Sequence, residues 1–197
     1  MSSTKIIAVI GATGNQGGSV ASTFLQEAGW KVRAITRNPD SAKAQALKSQ
    51  GAEVVQADLD DTQSLRTAFE GAQVIFSVTD TWGLYFNPAN KDKPKDGQPL
   101  NIWATETETQ QAKNVIDAAA QTHGLERFIY SSLSDATKWS KGKYTHVYHF
   151  DSKAKAEYYA QEKYPELWAK TSIYQAGFYL SNFLPGGMMP PQVVSLS

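Results

Sequence analysis

Three glycines, Gly11, Gly14 and Gly17, stand where a short apolar segment gives way to a predicted helix. In such a turn the first glycine allows a tight bend, the second lets the backbone approach a pyrophosphate, and the third lets the helix pack against the strand. Free N–H groups and the dipole at the start of the helix favour an anion there. The turn predicts a dinucleotide site whose contacts are Gly11, Thr13, Gly14, Asn15, Gln16 and Gly17.

Arg37 follows the second predicted strand, at the position that selects the dinucleotide. About twenty residues after the turn, an acid binds the ribose 2′-hydroxyl of NAD, whereas an arginine binds the 2′-phosphate of NADP. Each charge-assisted hydrogen bond to that phosphate is worth about 1.5–3 kcal/mol. We therefore expect NADP(H), with NAD(H) less favoured; the alternative is an ordinary surface arginine in a turn.

Asp58 and Leu59 follow the third predicted strand, at the same edge of the expected sheet. We expect Asp58 to reach the adenine amino group, with Leu59 beside it. The alternative is that Asp58 caps the helix that starts near Thr62, because Asp is a favoured N-cap residue.

The elements that must hold these residues alternate between short apolar strands and helical patterns. Strands are predicted at 6–10, 31–36, 53–57, 73–78, 127–132 and 170–175, and helices after the glycine turn and at 41–50, 62–69 and 150–163. A further helix carries the stripe Ala112, Val115, Ile116, Ala119 and Ala120, with Glu106 and Glu108 placed in its first turn, where the helix dipole favours acids. This alternation predicts an α/β fold, a doubly wound parallel sheet with helices on both faces.

Residues 79–103 show no periodic pattern and are predicted to be a long irregular loop, a candidate lid or partner surface. Residues 1–183 are expected to form one dinucleotide-binding domain, and residues 184–197 an irregular C-terminal remnant.

The composition excludes several other classes of function. The 197 residues include no cysteine, which rules out disulfides, thiolate catalysis and zinc–thiolate sites. Nineteen basic and nineteen acidic residues cancel, so no surplus of positive charge indicates direct binding to nucleic acid or to an anionic membrane. The three histidines form no metal-binding pattern with carboxylates, and no metal is expected. The N-terminus resembles neither a signal peptide nor a membrane span, and we expect a cytoplasmic protein with access to the nucleus.

Four blocks of sequence resemble the NmrA-like branch of the atypical short-chain dehydrogenase/reductase group. They are IIAVIGATGNQGGSV, VRAITRNP, GAEVVQADLDD and HFDSKAKAEYY, the last followed by an Ala-Gly-Phe-Tyr segment. The resemblance implies a Rossmann-like, NAD(P)-binding fold. It also implies a smaller C-terminal lobe, which would be largely missing here, so the chain resembles a shortened member. In relatives the segment after strand six passes the nicotinamide, which makes Gly177 and Phe178 expected contacts.

Reductases of this wider group pair a serine after strand five with a Tyr-x-x-x-Lys motif. Lys153 matches the lysine, but His149 stands where the tyrosine belongs. Two interpretations remain open. In one, Lys153 holds the nicotinamide ribose while His149, Tyr144 or Tyr148 supplies a proton, as histidine does near neutral pH. In the other, the site binds the cofactor without chemistry, and His149 is a structural residue. Thr79, after strand four, is a further expected cofactor contact because ligands bind at this edge of such sheets.

The resemblance implies two functions. Some relatives resemble isoflavone reductase or quinone oxidoreductase, whereas others resemble redox sensors that bind NADP(H) and regulate a protein partner by contact. The missing tyrosine favours an NADP(H)-binding redox-sensing regulator. The alternative is an NADPH-dependent oxidoreductase acting on a small carbonyl, quinone or enone substrate.

Overall fold

The computed structural model describes residues 4–184 and forms a parallel six-stranded sheet within them. The strands are β1 (Lys5–Ile10), β2 (Trp30–Thr36), β3 (Glu53–Gln56), β4 (Val74–Ser77), β5 (Arg127–Ser132) and β6 (Thr171–Gln175). Their spatial order is β3-β2-β1-β4-β5-β6. The order reverses between β1 and β4, and ligands bind in the crevice that opens at such a point.

Helices occupy both faces of the sheet, which confirms the doubly wound fold. They are α1 (Asn15–Leu25), α2 (Ala42–Ser49), α3 (Thr62–Phe69), α4 (Thr81–Phe86), α5 (Leu100–Ala120), α6 (Ala136–Trp139), α7 (Tyr148–Lys163) and α8 (Pro165–Trp168). Short 3₁₀ turns lie at Pro88–Asn90 and Leu180–Phe183.

Alternate residues of β1 enter two separate apolar cores. Ile7 and Val9 pack with α1 and α2 on one face, whereas Ala8 and Ile10 pack with α3, α5, α7 and α8 on the other. Successive side chains of a strand point to opposite faces, so a strand covered on both sides must be apolar throughout. This is why the central strands read as continuous apolar runs in the sequence.

The prediction of one irregular loop over residues 79–103 is wrong in part. Within this stretch lie α4, the turn at Pro88–Asn90 and the start of α5. The Asp80 side chain caps α4 by accepting a hydrogen bond from the N–H of Gly83. A helix of six residues is too short to show a helical period in the sequence, which is why the pattern did not reveal it.

The predicted start of the long helix is also wrong. The helix α5 begins at Leu100, so Glu106 and Glu108 lie in its second and third turns rather than at its positively charged end. Glu106 is exposed, whereas the Glu108 side chain is completely buried. Glu108 must therefore be stabilised by direct partners instead of the helix dipole.

The short C-terminal segment predicted to be irregular lies, apart from residue 184, outside the described residues.

Candidate functional site

The glycine turn has the close backbone contacts that its sequence predicts. Gly11 adopts a φ of +68°, which L side chains rarely adopt, and its carbonyl accepts a 2.8 Å hydrogen bond from the N–H of Gly14. A Cβ atom on Gly11 would lie 2.8 Å from Val78 Cγ1, just beyond β4. The turn therefore lies directly against the loop that follows β4.

Gly17 brings α1 onto this turn. A Cβ atom on Gly17 would lie 2.4 Å from the carbonyl oxygen of Gly11 and 2.7 Å from that of Ile10, both backbone atoms that cannot move aside cheaply. Gly14 begins the helix, and within residues 4–184 no side chain caps that end. The open N–H groups and the helix dipole suit a phosphate, so the turn fits the dinucleotide predicted from the sequence.

Gln16, in the first turn of α1, joins the glycine turn to two distant segments. Its Oε1 accepts hydrogen bonds from Ser131 Oγ at 2.9 Å and from the Tyr179 hydroxyl at 3.1 Å. Its Nε2 is buried with no partner within the described part of the chain. Thr13 lies half-buried in the turn, and Asn15 is exposed at the start of α1. The link to Tyr179, 163 residues away, left no signal in the sequence.

Arg37 and Asp58 lie where two adjacent strands end. Arg37 follows β2 and is exposed, and its carbonyl oxygen accepts a hydrogen bond from Gln56 Nε2 at 3.2 Å. Asp58 lies two residues beyond β3, is exposed, and accepts a hydrogen bond from the N–H of Asp60. The cap of α3 is Asp61, whose side chain accepts hydrogen bonds from the N–H groups of Gln63 and Ser64. The alternative role considered for Asp58, as the cap of this helix, is therefore filled by Asp61.

Leu59 packs against the core between the sheet and α5. Its carbonyl oxygen accepts a 2.8 Å hydrogen bond from Asn114 Nδ2, and the neighbouring Asp60 carboxylate accepts one from Gln111 Nε2 at 3.1 Å. These two bonds to α5 hold the loop that carries Asp58 and Leu59 at the edge of the sheet.

Thr79 and Lys153 meet below the loop that follows β4. The Lys153 ammonium donates to the Thr79 carbonyl oxygen at 2.8 Å, to Thr79 Oγ1 at 2.9 Å and to Glu108 Oε1 at 2.7 Å. These three acceptors match the three hydrogens of the ammonium group. Both residues predicted as cofactor contacts are buried, and in this arrangement the lysine is bonded to the protein itself.

Glu108 is the acid that balances this lysine, and the sequence analysis missed its role. Burial raises the pKa of a carboxyl group, but the charge of Lys153 and hydrogen bonds from Lys153, Ser152 and Thr81 outweigh it and hold the pKa of Glu108 below 4.5. A signal was present in the sequence. Glu108 lies one helical turn from both Ala104 and Ala112, so an acid interrupts the apolar stripe of α5.

His149 lies in the first turn of α7 with its ring 5.0 Å from that of Trp82. Burial lowers the pKa of His149 below 6.5, and Lys153 lowers it further against the opposing effects of Glu108 and Asp151. This shift favours the neutral form of the imidazole at pH 7. Trp82, at 43% exposure, lies at the surface, where it stacks on Phe86.

Asp151 organises the loop after β5, another contact that the sequence did not reveal. Its Oδ1 accepts hydrogen bonds from the N–H groups of Ala136 at 2.8 Å and Thr137 at 3.2 Å, at the start of α6. This carboxylate therefore fixes the loop at the start of α6.

Gly177 and Phe178 lie beyond β6, and both are exposed. A Cβ atom on Gly177 would have no described heavy atom within 4 Å, so local space does not require glycine there. The Phe178 ring packs against Phe183 at 5.2 Å. Within the residues described, it is the adjacent Tyr179 that contacts the helix of the glycine turn.

Two further properties concern residues 4–184 only. Their His, Asp and Glu side chains form no group of three or more that could hold a metal ion. Their helices are all too short or too polar to cross a membrane.

Comparison with known proteins identifies the family to which this fold and glycine turn belong. A sequence profile of the NmrA-like family matches residues 3–193. The NmrA-like family domain-containing oxidoreductase FrzB from Cladobotryum sp. is 40% identical over 187 residues, covering 95% of this chain and 50% of that protein. The chain spans about half the length of the curated relatives it matches.

Solved structures resemble the fold over most of the chain. The negative transcriptional regulator Nmra is 25% identical, with a TM-score of 0.69 over 90% of this chain and 47% of that chain. The NADPH-dependent quinone oxidoreductase QOR2 from Escherichia coli, complexed with NADPH, is 26% identical, with a TM-score of 0.60 over 90% of this chain and 50% of that chain. Two further Nmra structures, at 24% identity, are complexes with NAD and with NADP.

The parallel sheet, the close glycine turn and the match over residues 3–193 agree with one another. This chain belongs to the NmrA-like family.

Proposed function

We propose that this chain binds NADP(H). The observation that carries the proposal is Gly17, where a Cβ atom would lie 2.4 Å from the Gly11 carbonyl oxygen, together with the open start of α1. The pyrophosphate would be held by Gly11, Gly14 and Gly17 with Thr13, Asn15 and Gln16, and the adenosine half by Arg37, Asp58 and Leu59. Thr79, Lys153, Gly177 and Phe178 would border the nicotinamide half.

The preference for NADP over NAD depends on Arg37. Its exposed guanidinium, just beyond β2, is free of an adjacent acid in the sequence Thr-Arg-Asn-Pro. A guanidinium binds a phosphate with two parallel hydrogen bonds, whereas an acid would repel it. The complex of QOR2 with NADPH supports this choice, and the NAD and NADP complexes of Nmra are compatible with either cofactor.

We further propose that the bound cofactor serves an oxidoreductase reaction on a small carbonyl, quinone or enone. The similarity to the oxidoreductase FrzB and to the quinone oxidoreductase QOR2 supports this class of reaction. The cofactor supplies hydride in such a reaction. Lys153 and His149 are the candidate catalytic residues. Because the pKa of His149 is lowered, its neutral imidazole is suited to orient a substrate oxygen by a hydrogen bond at pH 7.

A second candidate function is redox sensing through contact with a regulatory protein partner. The observation that favours it is the arrangement of Lys153, whose three donors bond to Thr79 and Glu108. Because all three hydrogens of its ammonium group are donated to the protein, Lys153 has none left for a substrate, which favours cofactor binding without turnover. The similarity to the regulator Nmra is in keeping with this role.

We propose that residues 1–183 form the dinucleotide-binding unit and that residues 184–197 are an irregular C-terminal remnant outside it. The protein is proposed to act in the cytoplasm with access to the nucleus and without direct contact with nucleic acid.

The test is calorimetric titration of the purified chain with NADP⁺, NADPH, NAD⁺ and NADH, followed by an NADPH-consumption assay on quinones, enones and aldehydes. Binding with NADP preference supports the cofactor proposal, and its absence in a folded chain refutes it. Turnover that is lost in Lys153→Ala supports the oxidoreductase. Binding of both redox forms with no turnover, and with a changed affinity for a partner protein, supports the sensor.

A further inference from the structure

Five hydrogen bonds converge on the buried carboxylate of Glu108. Oε1 accepts from Lys153 Nζ at 2.7 Å, from Thr79 Oγ1 at 3.0 Å and from the N–H of Thr81 at 3.1 Å. Oε2 accepts from Ser152 Oγ at 2.5 Å and from Thr81 Oγ1. The carboxylate therefore joins α5 to α7 and to the segment that runs from Thr79 to Thr81, the first residue of α4.

This cluster adjoins the edge of the sheet where the glycine turn lies. Lys153 also donates to the Thr79 carbonyl oxygen, and a Cβ on Gly11 would lie 2.8 Å from Cγ1 of Val78, the residue before Thr79. The charged pair is thus bonded to the residue that follows the one in contact with the turn. Its position lies on the β4–β5 side of the crevice, opposite the β2 and β3 ends that carry Arg37 and Asp58.

The Glu108–Lys153 pair adds no net charge to this side of the crevice. The lowered pKa of His149 favours its neutral form, whereas the Asp151 carboxylate, which is bonded to the start of α6, contributes a negative charge that neither substitution in the pair changes. A nicotinamide ring carries one positive charge when oxidised and none when reduced. The site's relative affinity for the two redox states therefore depends on the net charge of the protein near the ring. Coulomb interactions are strong there because the protein interior screens them poorly.

We propose that Glu108 is a positioning residue that balances the charge of Lys153 and thereby sets the relative affinity of the site for oxidised and reduced cofactor. The proposal rests on the proposed binding of NADP(H). The glycine turn and Arg37 cannot perform this role. They would bind the pyrophosphate and the 2′-phosphate, whose charges are the same in the oxidised and the reduced cofactor.

The two members of the pair have opposite predicted effects. In Glu108→Gln the positive charge of Lys153 is unbalanced and disfavours the cationic ring, so the ratio of Kd for NADP⁺ to Kd for NADPH rises. In Lys153→Met the negative charge of Glu108 is unbalanced, so this ratio falls. We expect changes of roughly three- to ten-fold in each direction. The double variant Glu108→Gln/Lys153→Met restores neutrality and returns the ratio towards that of the unsubstituted chain.

The experiment is titration of the full chain with NADP⁺ and NADPH at constant ionic strength, with circular dichroism to verify folding of each variant. The ratio is taken within one variant, so a loss of affinity shared by both redox forms cancels. The matched control is Glu106→Gln, which removes the same charge from an exposed position of the same helix and should leave the ratio unchanged. Lys153→Gln replaces Lys153→Met if the latter does not fold, because it makes the same change of charge.

The outcomes separate the proposals. Opposite movement in the two single variants, with recovery in the double variant, supports charge balancing. An equal loss of affinity for both redox forms in every variant means that the pair is purely structural, and it overturns the proposal. An equally large effect of Glu106→Gln on the Kd ratio overturns it too. If the unsubstituted chain binds neither form, the proposed cofactor site itself fails, which is a different result from binding with an unmoved ratio.

Discussion

The ammonium nitrogen of Lys153 lies 2.7 Å from Oε1 of Glu108, and the Glu108 side chain has no exposed surface. This contact joins α7 to α5 across 45 residues of sequence, below the loop that follows β4. Removing one member of a buried ion pair is costly, because the remaining charge keeps its desolvation penalty and loses its partner.

Glu108→Gln is therefore expected to lower the free energy of unfolding at pH 7 by about 3 kcal/mol, at the lower end of the usual range for such pairs. The pKa of Glu108 is below 4.5 in the folded chain, so its contribution is complete above pH 4.5 and is lost as the pH falls through the lowered pKa. The difference in the free energy of unfolding between the unsubstituted chain and Glu108→Gln should consequently become smaller in acid. Urea unfolding between pH 3 and 7 measures this, with Glu106→Gln as a control; a difference that is constant with pH would contradict it.

Gly17→Ala tests the close approach of α1 to the glycine turn. The added methyl group would lie 2.4 Å from a backbone oxygen, so we expect a loss of about 1–3 kcal/mol of stability together with loss of cofactor binding. Gly18→Ala is the matched control, because its methyl group would lie 3.2 Å from the Ala12 carbonyl oxygen and alanine favours the helix. Thermal unfolding and calorimetry of both variants provide the measurement, and equal effects at the two positions would argue against the close approach.

Arg37→Ala tests the choice of cofactor. We expect the Kd for NADP⁺ to rise about ten-fold, or 1.4 kcal/mol, with little change for NAD⁺, since only NADP⁺ carries the 2′-phosphate. Lys31→Ala removes an equal charge from the other end of the same strand and controls for long-range electrostatics. Calorimetric titration with both cofactors measures this. Equal losses of affinity for NAD⁺ and NADP⁺ would show that Arg37 does not bind the 2′-phosphate.

Glu157 lies one turn beyond Lys153 on α7. It should make the stability of the fold depend on pH with a sign opposite to that of Glu108. Burial raises its pKa above 4.5, and its Oε1 is buried with no hydrogen-bond partner among the described residues. A raised pKa means that the favourable contribution is complete below pH 4.5 and is lost as the pH rises through the folded value. Glu157→Gln should therefore gain stability relative to the unsubstituted chain between pH 4 and pH 7. Denaturant midpoints across this range measure the change, and a relative loss towards pH 7 would refute it.

Much of the fold was predictable because a doubly wound sheet buries its central strands on both faces. Such strands must be apolar along their whole length, and each predicted strand matches the observed one to within one residue at either end. The glycine turn was predictable because residues with a side chain rarely adopt the φ of +68° seen at Gly11, and because a Cβ atom at Gly17 would lie 2.4 Å from a backbone oxygen.

The short and polar elements were not predictable in the same way. The helices α4 and α6 have six and four residues, and each begins at an aspartate cap, at Asp80 and Asp135. Their stability depends on contacts with distant residues, such as the bonds from Thr81 to Glu108 and from Ala136 to Asp151. A local pattern records neither contact.

The sequence by itself determined the fold class, the glycine turn and the placement of Arg37, because these depend on local backbone geometry and on apolar periodicity. Only the tertiary structure decided that Lys153 is paired with Glu108 and that Gln16 meets Tyr179, contacts that span 45 and 163 residues. The physical reason is that burying a charge or an amide is costly without a hydrogen-bond partner, and tertiary packing, not separation along the chain, determines which residue supplies that partner.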